Sequence, residues 1–412
     1  LDAGGIYHYY NSMEFHPNLY YSLVTHHAGQ YPNGNPNLAT WRNSLIRTDD
    51  NGASIYIIKT FTGQVFREKI CMTNPNVIYV IVGLTNNKLW KTTDGGTNWT
   101  DVTPTSVESS GQLNMSDIAV SDVDPNQVWI TYSGVQTACK VLKSANGGTN
   151  WSNLTQVLLT SNPNTKIIFQ RGSDGGVYIG NKSGVYYRNN SMPNWVMLGN
   201  GLPATDLRFM FINYNQGKLK IGTSRGAWEH NLYEISPPKA QISANTNKVV
   251  CASFDQVQFK DYSTVRNASA SWAWSFPGGT PSTSSLENPV VSYVGAANGF
   301  YNVSLTVTDA YGTNSQTLTN FIEVNSADCA VDTVAGKVLT LTNPGDYAQQ
   351  ASALNITTNT ITLSCWIKPN GAQVANAGII FSSNAGATGL SYDGSGRLGY
   401  TWRDEAGSYS FN

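Results

Sequence analysis

Short apolar runs, separated by turn-forming residues, recur along the whole chain. Three of them occupy residues 77–80, 128–130 and 167–169, and each closely follows a Pro-Asn pair. Runs of this length between turn signals are typical of buried β-strands. Long stretches with the 3.6-residue periodicity of helices are missing from the sequence. The pattern therefore predicts an all-β chain with almost no α-helix.

The first 236 residues repeat one pattern loosely. A Pro-Asn turn is followed by an apolar strand, a Gly, a second strand and a Gly-rich turn that ends in Trp. The Pro-Asn turns begin at Pro17, Pro75, Pro125 and Pro163, at spacings of roughly 40 to 60 residues. One four-stranded blade of a β-propeller has about this length. Residues 1–236 are therefore predicted to form propeller blades.

A different pattern starts after residues 237–241, where two consecutive prolines block a strand ladder and stiffen the chain as a linker. From residue 242 to 326, larger apolar residues alternate with small or polar ones, as in the run Trp-Ala-Trp-Ser-Phe. A period of two indicates half-buried strands, and their spacing predicts a small β-sandwich. A second linker is predicted at residues 327–335.

Composition and charge fit this organisation. A chain of 412 residues exceeds one ordinary core and predicts two or three domains. Only 12% of the residues are charged, whereas soluble domains average about 25%. The net charge is −1 without a basic stripe, which favours neither nucleic acid nor an anionic membrane as a partner. Because no apolar run approaches the roughly 20 residues of a membrane helix, no membrane insertion is expected.

Two turns carry nearly the same eight residues. They read Thr-Thr-Asp-Gly-Gly-Thr-Asn-Trp at 92–99 and Ser-Ala-Asn-Gly-Gly-Thr-Asn-Trp at 144–151. Both resemble the Asp-boxes, or BNR repeats, of sialidase-like and sortilin-like propellers, although the second has Asn where the family prefers Asp. The positions that carry the motif are Thr92, Asp94, Gly96, Trp99, Ser144, Asn146, Gly148 and Trp151.

The physical interpretation of this motif is structural. A carboxylate or amide oxygen accepts backbone N–H bonds in a tight turn, glycines supply positive φ, and the Trp covers the end of the hairpin. The resemblance implies that these turns lie away from the ligand face of the propeller. The motif therefore predicts a fold staple and not a catalytic group. Degenerate copies are expected at residues 48–54 and 191–195.

Two segments resemble domains of large secreted proteins of Bacteroidetes. Residues 172–229 end in Gly-Thr-Ser-Arg-Gly-Ala-Trp-Glu and resemble closing propeller blades, which implies that residues 1–236 hold the last four or five blades. Residues 242–326 contain Trp-Ala-Trp-Ser-Phe-Pro-Gly-Gly and resemble an Ig-like PKD domain. The resemblance implies that this domain serves as a spacer or a weak binding module.

Residues 336–412 resemble the first part of a laminin-G or concanavalin A-like jelly roll, with Thr-Leu-Ser-Cys-Trp-Ile-Lys-Pro at 362–369 as the marker. The family resemblance implies export by the type IX secretion system, which recognises a C-terminal region expected beyond residue 412. Thr333 lies in an Asp-Thr-Val triplet that resembles the O-glycosylation acceptor of that phylum. The chain begins without an initiator Met or a signal-like segment, so a fragment or a mature chain is expected.

The cysteines and the loops carry the only predictions about cross-links and cofactors. None of the five cysteines has the spacing of a zinc site. Cys251 and Cys329 bracket the predicted PKD domain and are candidates for a disulfide in an oxidising compartment, although sequence alone does not fix a pairing. Ca²⁺ is the cofactor that the loops favour, because Asp, Asn and carbonyl oxygens are its usual ligands; no metal ligands can be assigned.

The search for catalytic groups leaves one enzymatic alternative. The five histidines form no HExxH motif, and no GxSxG elbow is present. Asp-box propellers include glycoside hydrolases, which need two carboxylates on the ligand face. The available carboxylates are Glu14, Asp49, Asp50, Asp122 and Asp124. Most of them lie in turn-like contexts, where a carboxylate more often bonds its own backbone.

The sequence therefore predicts no catalytic residue and a non-catalytic protein of the cell surface or extracellular space, which binds or adheres to glycans or other surface polymers. The family resemblance and the many Trp, Tyr and Asn residues favour the glycan ligand. The first alternative is a secreted glycoside hydrolase with a catalytic propeller; its sialidase form would also need three arginines that converge on a substrate carboxylate. The second is a structural passenger of the secretion machinery.

Overall fold

The computed structural model divides the chain into two units, Leu1–Gly336 and Lys337–Asn412. The residues that it describes are 13–26, 43–83, 86–105, 114–133, 139–156, 159, 164–199, 201–202, 204–249, 256–266, 269–325, 378–382, 388–392, 398–401 and 409–410. Nearly all regular structure within them is β-strand. This confirms the predicted all-β fold class.

Five antiparallel sheets follow one another in the first part of the chain, and within each sheet every strand pairs with the next strand in sequence. The first sheet contains β1 (Met13–Phe15), β2 (Leu23–His26), β3 (Ser44–Thr48) and β4 (Tyr56–Thr60). The second contains β5 (Val65–Ile70), β6 (Ile78–Val82), β7 (Lys88–Thr92) and β8 (Thr100–Asp101). The third contains β9 (Met115–Val120), β10 (Val128–Tyr132), β11 (Val141–Ser144) and β12 (Ser152–Asn153). The fourth contains β13 (Asn164–Phe169), β14 (Val177–Asn181), β15 (Gly184–Arg188) and β16 (Val196–Leu198). The fifth contains β17 (Leu207–Asn213), β18 (Lys218–Thr223) and β19 (Gly226–Asn231).

Asx turns shape the hairpin between the first and second strands of the second and third sheets. The Asn74 side chain accepts the backbone N–H of Asn76 at 3.1 Å, and the Asp124 carboxylate accepts that of Asn126 at 2.9 Å. The side-chain oxygen thus accepts a hydrogen bond from a backbone N–H group that the turn leaves unpaired. The apolar strand can then begin directly after the Pro-Asn pair.

The first strands of successive sheets lie side by side. Strand β1 contacts β5, β5 contacts β9, β9 contacts β13 and β13 contacts β17. The sheets therefore radiate from a common centre, with the first strand of each sheet innermost, as the blades of a β-propeller do. This confirms the predicted propeller fold, and the sheets are called blades from here on.

Buried apolar layers fill the gaps between successive blades. Val24 of the first blade packs with Val65 of the second, and Tyr178 of the fourth blade packs with Leu219 of the fifth. Similar clusters lie between the second and third blades and between the third and fourth. A blade between two neighbours buries both faces, which is why β6 is buried at every position and reads as a continuous apolar run.

A β-sandwich follows the blades. Its strands are β20 (Ile242–Ala244), β21 (Lys248–Val249), β22 (Gln256–Asp261), β23 (Ser271–Ser275), β24 (Thr283–Ser284), β25 (Val290–Ser292), β26 (Gly299–Asp309) and β27 (Gly312–Val324). One sheet has the order β20-β22-β25 and the other β21-β27-β26-β23-β24. The aromatic rings of Phe259, Trp274 and Phe276 pack together between them. The period of two in this region therefore separates core positions from surface positions.

Hydrogen bonds attach the sandwich to two blades. Leu19, after the first strand of the first blade, forms a parallel bridge with Ala244, whose N–H donates to Asn18 O at 3.0 Å. On the fourth blade, the Arg171 guanidinium donates to Tyr262 O at 3.2 Å. The sandwich is thus fixed against the blades by backbone and side-chain bonds.

The second unit contributes four antiparallel strands in sequential order. They are β28 (Gly378–Ser382), β29 (Thr388–Tyr392), β30 (Leu398–Thr401) and β31 (Tyr409–Ser410). The jelly roll stays a prediction, since these strands form one sheet. Cys251, Cys329 and Thr333 lie outside the described residues, so the disulfide and the glycosylation site stay predictions as well. In the described part of the chain, no helix has the length and apolar character to cross a membrane.

Candidate functional site

The turn between the third and fourth strands has the same hydrogen bonds in the first three blades. In the second blade, the Thr92 hydroxyl accepts the N–H of Gly96 at 3.0 Å, and the Asp94 carboxylate accepts the N–H of Asn98 at 2.9 Å. Gly96 adopts a φ of 109°, which favours glycine. The side chains of the motif thus hold the turn closed from inside.

The same pattern recurs on either side of this blade. In the third blade, the corresponding bonds are Gly148 N to Ser144 Oγ at 2.8 Å and Asn150 N to Asn146 Oδ1 at 2.8 Å. In the first blade they are Gly52 N to Thr48 Oγ1 at 2.8 Å and Ser54 N to Asp50 Oδ1 at 2.9 Å. Asn therefore replaces Asp at this position without changing the geometry, since both offer an acceptor oxygen.

The turns of the second and third blades also contact the preceding blade. A Cβ atom at Gly148 would lie 2.6 Å from Val102 Cβ, and the Trp151 indole N–H donates to Val102 O at 3.2 Å. The Trp99 ring meets the Phe61 ring edge-on at 5.2 Å between centroids. The motif thus links neighbouring blades, which is a structural role and leaves chemistry to other residues.

The fourth blade departs from the pattern. Its turn starts at Arg188, which occupies the position of Thr92 and Ser144 and cannot accept a hydrogen bond. The Trp keeps its role: Trp195 donates to Leu154 O at 2.8 Å, as Trp151 does to Val102 O. The degenerate copy expected at 191–195 therefore begins three residues earlier.

Asp94 provides a direct test of this turn. Its bonds to the backbone N–H and side chain of Asn98 and to Thr92 lower its pKa from 3.8 to about 2. The folded-state pKa lies below the unfolded value, so the stabilisation is present above pH 3.8 and is lost as the pH falls toward 2. We expect carbon-13 NMR titration, assigned with Asp94→Asn, to give a value near 2 and a higher value in Asn98→Ala. A pKa near 3.8 in the intact protein would contradict the turn geometry.

The chemically richest group of side chains lies on the innermost strands. We call Glu14, Arg67, Lys69, Asp117 and Lys166 the inner-strand cluster. Lys69 Nζ lies 2.8 Å from Glu14 Oε1, and Arg67 Nε lies 3.8 Å from Asp117 Oδ1. The side chain of Lys69 is 38% exposed and that of Glu14 is 17% exposed, so solvent reaches the cluster at Lys69.

The charges of the cluster influence one another. Burial raises the pKa of Glu14 above its usual range, although Lys69 acts in the opposite direction. Burial acts to lower the pKa of Lys69, but the nearby carboxylates, chiefly Glu14, outweigh it and raise the pKa. Burial lowers the pKa of Lys166. The raised pKa keeps Lys69 charged at neutral pH, and its ammonium group lies 2.8 Å from the Glu14 carboxyl group.

The other carboxylates available from the sequence have partners outside the inner-strand cluster. The Asp50 and Asp124 side chains accept backbone N–H groups of their own turns. Asp49 accepts the Ser22 hydroxyl and the Arg47 Nε–H. Asp122 is buried 3.8 Å from Arg171. Of the five predicted carboxylates, only Glu14 lies in the inner-strand cluster.

Asp117 is the carboxylate of the cluster that the sequence analysis missed. It lies in the run Met-Ser-Asp-Ile-Ala-Val at 115–120, and its carboxylate also accepts the N–H of Ile167 at 3.2 Å. A single charge inside an otherwise apolar strand was the available signal. Its relevance depends on knowing that β9 is an innermost strand.

His16 and the arginines that form ion pairs among the described residues each have a separate partner. Arg47, Arg67 and Arg171 each pair with a different aspartate, so these three do not converge on one anion. His16 accepts the backbone N–H groups of the two residues after Pro17 at 3.1 Å, and burial lowers its pKa to about 4. A neutral turn cap of this kind is a structural role. Within the described residues, no three His, Cys, Asp or Glu side chains group as metal ligands.

Comparison with known proteins identifies one domain of the chain. The family model of the PKD domain matches residues 239–321. The sandwich is therefore a PKD domain, which confirms the predicted type of domain. The protein is thus an all-β chain in which propeller blades precede a PKD domain.

Part of the chain is similar to several solved structures. The GH74 xyloglucanase from Xanthomonas campestris is 10% identical, with 76% of this chain and 47% of that chain covered and a TM-score of 0.42. An ancestral GH74 enzyme is 13% identical, with coverages of 75% and 38% and a TM-score of 0.40. YCF48 from Cyanidioschyzon merolae is 12% identical, with coverages of 60% and 78% and a TM-score of 0.37. The chain thus spans less than half of either GH74 protein, and similarity at this level carries no conclusion about activity. No curated protein matches the chain.

Proposed function

We propose that this chain belongs to a non-catalytic, exported protein that binds a glycan or another hydroxyl-rich surface polymer at the inner-strand cluster. The observation that carries the proposal is the pairing of both carboxylates in the cluster with cations: Glu14 with Lys69 and Asp117 with Arg67. A glycosidase needs one carboxyl group as acid and another as base or nucleophile. Carboxylates held in ion pairs are better suited to accept hydrogen bonds than to transfer protons.

The chemistry of the cluster suits sugar hydroxyls. Each hydroxyl both donates and accepts, so a surface that alternates carboxylates with Lys and Arg donors can satisfy it in either orientation. The Lys69 side chain is partly exposed, and the cluster draws on β1, β5, β9 and β13. A polymer chain crossing the centre of the blades would meet all of these strands.

Binding to immobilised polysaccharides, measured with calcium present, tests the proposal. The double variant Arg67→Gln/Asp117→Asn removes both charges and keeps amide groups that can bond to each other. We expect it to bind the recognised polysaccharide at least about tenfold more weakly, equivalent to about 1.4 kcal/mol. The control is Lys182→Gln, which removes an exposed cation paired with Asp206 at 3.1 Å. Unchanged affinity in the double variant, with an unchanged circular dichroism spectrum, would refute this location.

A glycoside hydrolase is the second candidate, and one observation favours it. Burial raises the pKa of Glu14, and a raised pKa is what a catalytic acid requires. Asp117 would be the second carboxylate, since both it and Glu14 act on Lys69. Release of reducing ends that disappears in Glu14→Gln and in Asp117→Asn would support this candidate.

Export is part of the proposal and rests on the resemblance to secreted proteins of Bacteroidetes. Type IX secretion, glycosylation at Thr333 and a lectin-like jelly roll in residues 336–412 belong to the same proposal.

A further inference from the structure

A cavity of about 200 Å³ lies between the third and fourth blades. Its walls include the rings of Trp129 and Trp195 and the side chains of Lys143, Arg188 and Asn190. Both tryptophans are almost fully buried. The cavity is smaller than the roughly 300–1,000 Å³ of drug-sized ligand sites, so it fits one small ring or group.

Two cations line this cavity without a paired carboxylate. Lys143 Nζ lies 4.9 Å from the centroid of the Trp129 ring and donates to Asn190 Oδ1 at 2.7 Å. Arg188 donates through Nε to Met192 O at 3.1 Å. Among the described residues, neither cation has a carboxylate within 4.0 Å. Burial lowers the pKa of both groups, as expected where positive charge has lost water.

Asn190 fixes the lysine. Its side-chain N–H₂ donates to Asp174 Oδ1 at 2.9 Å, and its backbone N–H donates to Asp174 O at 2.9 Å. A Cβ atom at Gly175 would lie 2.5 Å from the Asn190 amide, so glycine is needed for this approach. The nearby carboxylate of Asp174 is thus engaged with Asn190 and orients the amide oxygen that holds Lys143.

The interface between the second and third blades is similar, and comparing the two shows what differs between the third and fourth blades. Between the second and third blades, Lys91 lies 5.5 Å from the centroid of the Tyr79 ring and reaches Asn126 at 3.3 Å, much as Lys143 does. There, however, the turn begins with Ser144, whose hydroxyl accepts the Gly148 N–H. Between the third and fourth blades, Arg188 takes the place of this capping hydroxyl. The turn thus loses a capping hydroxyl, and the interface between the two blades gains a second cation. Such departures from a repeated sequence pattern are typical of functional positions.

We infer that this cavity binds the carboxylate of an acidic sugar unit, with Arg188 and Lys143 as its charged partners. A guanidinium and an ammonium form charge-assisted hydrogen bonds to a carboxylate. The cavity is distinct from the inner-strand cluster and does not depend on binding there. An acidic polysaccharide would therefore meet two separate sites on the blades.

Tryptophan fluorescence titration with free glucuronate tests the inference in the full chain, with glucose and acetate as comparison ligands. We expect glucuronate to bind, and glucose and acetate to bind at least tenfold more weakly. Arg188→Gln and Lys143→Gln should each weaken glucuronate binding by about tenfold or more. The matched controls Arg225→Gln and Lys248→Gln remove cations of the fifth blade and of the PKD domain and should leave binding unchanged.

Several results would overturn the inference. No glucuronate binding up to about 10 mM, or equal affinity in Arg188→Gln and the intact chain, would refute the site. Equal affinity for acetate would refute the sugar acid as its ligand. If Arg188→Gln unfolds, Arg188→Lys keeps the charge without the bidentate fork and should bind more weakly than the intact chain. Arg67→Gln/Asp117→Asn should bind glucuronate normally, which separates this site from the inner-strand cluster.

Discussion

Replacing Trp274 by alanine is expected to destabilise the PKD domain by about 3–5 kcal/mol, the usual cost of removing a buried aromatic ring. Trp274 is only 2% exposed, and its ring stacks on Phe276 at 5.5 Å and lies 5.8 Å from Phe259. Native-state hydrogen exchange of the β26 amides measures the free energy of local unfolding in this domain.

The control for this prediction is Phe300→Ala. Phe300 lies on β26 of the same sandwich but is 61% exposed, so its loss should change the stability by less than about 0.5 kcal/mol. The pair compares one aromatic residue of the core with one of the surface. Similar costs for both substitutions would contradict the assigned core.

The second large effect is expected at Gly148. Alanine there is strained by a φ of 94°, at a cost of about 1–3 kcal/mol. Its Cβ would also lie 2.6 Å from Val102 of the preceding blade, and overpacking adds about 1–3 kcal/mol. Urea unfolding followed by tryptophan fluorescence measures the total effect.

Gly52 is the matched control, because it holds the same position in the turn of the first blade. Its φ is 88°, and a Cβ atom there would have nothing within 4 Å. Gly52→Ala therefore carries the backbone strain without the contact between blades. Equal losses for Gly52→Ala and Gly148→Ala would show that the turn does not link the blades through this glycine.

Local patterns explain why much of the fold was predictable. Turn chemistry acts within a few residues, so the Pro-Asn pairs and the Gly-Gly-Thr-Asn-Trp runs locate hairpins without knowledge of the rest of the chain. The continuous apolar run of β6 likewise indicates a strand that is buried on both faces, and the alternation along β26 indicates a strand that is buried on one face. These features were sufficient for the all-β class, the blades and the β-sandwich, whereas the PKD domain was predicted from its resemblance to a known family.

Contacts between distant residues were not predictable in the same way. Asn18 and Ile242 are 224 positions apart, yet the Asn18 side chain donates to Ile242 O at 2.9 Å. Nothing local to either residue encodes that bond. The attachment of the PKD domain to the first blade is therefore visible only in the structure.

The candidate site likewise contains residues that the sequence indicates and residues that only the structure brings together. Glu14 was available from the sequence as one of five carboxylates, but its partner Lys69 lies 55 positions away. Asp117 and Arg67 become neighbours only because β5 and β9 are both innermost strands. Between the third and fourth blades, Arg188 resembles an ordinary strand residue until its turn is compared with those that begin at Thr92 and Ser144. Repeat comparison in three dimensions was thus needed to find both groups.

The central claim is binding without catalysis, and one measurement tests it most directly. The polysaccharide that the chain binds on the immobilised panel is incubated with the chain and with Glu14→Gln, and the release of reducing ends is followed. The account predicts no release by either protein, while the intact chain remains bound. Release by the intact chain that is abolished by Glu14→Gln would contradict the account and establish a glycoside hydrolase.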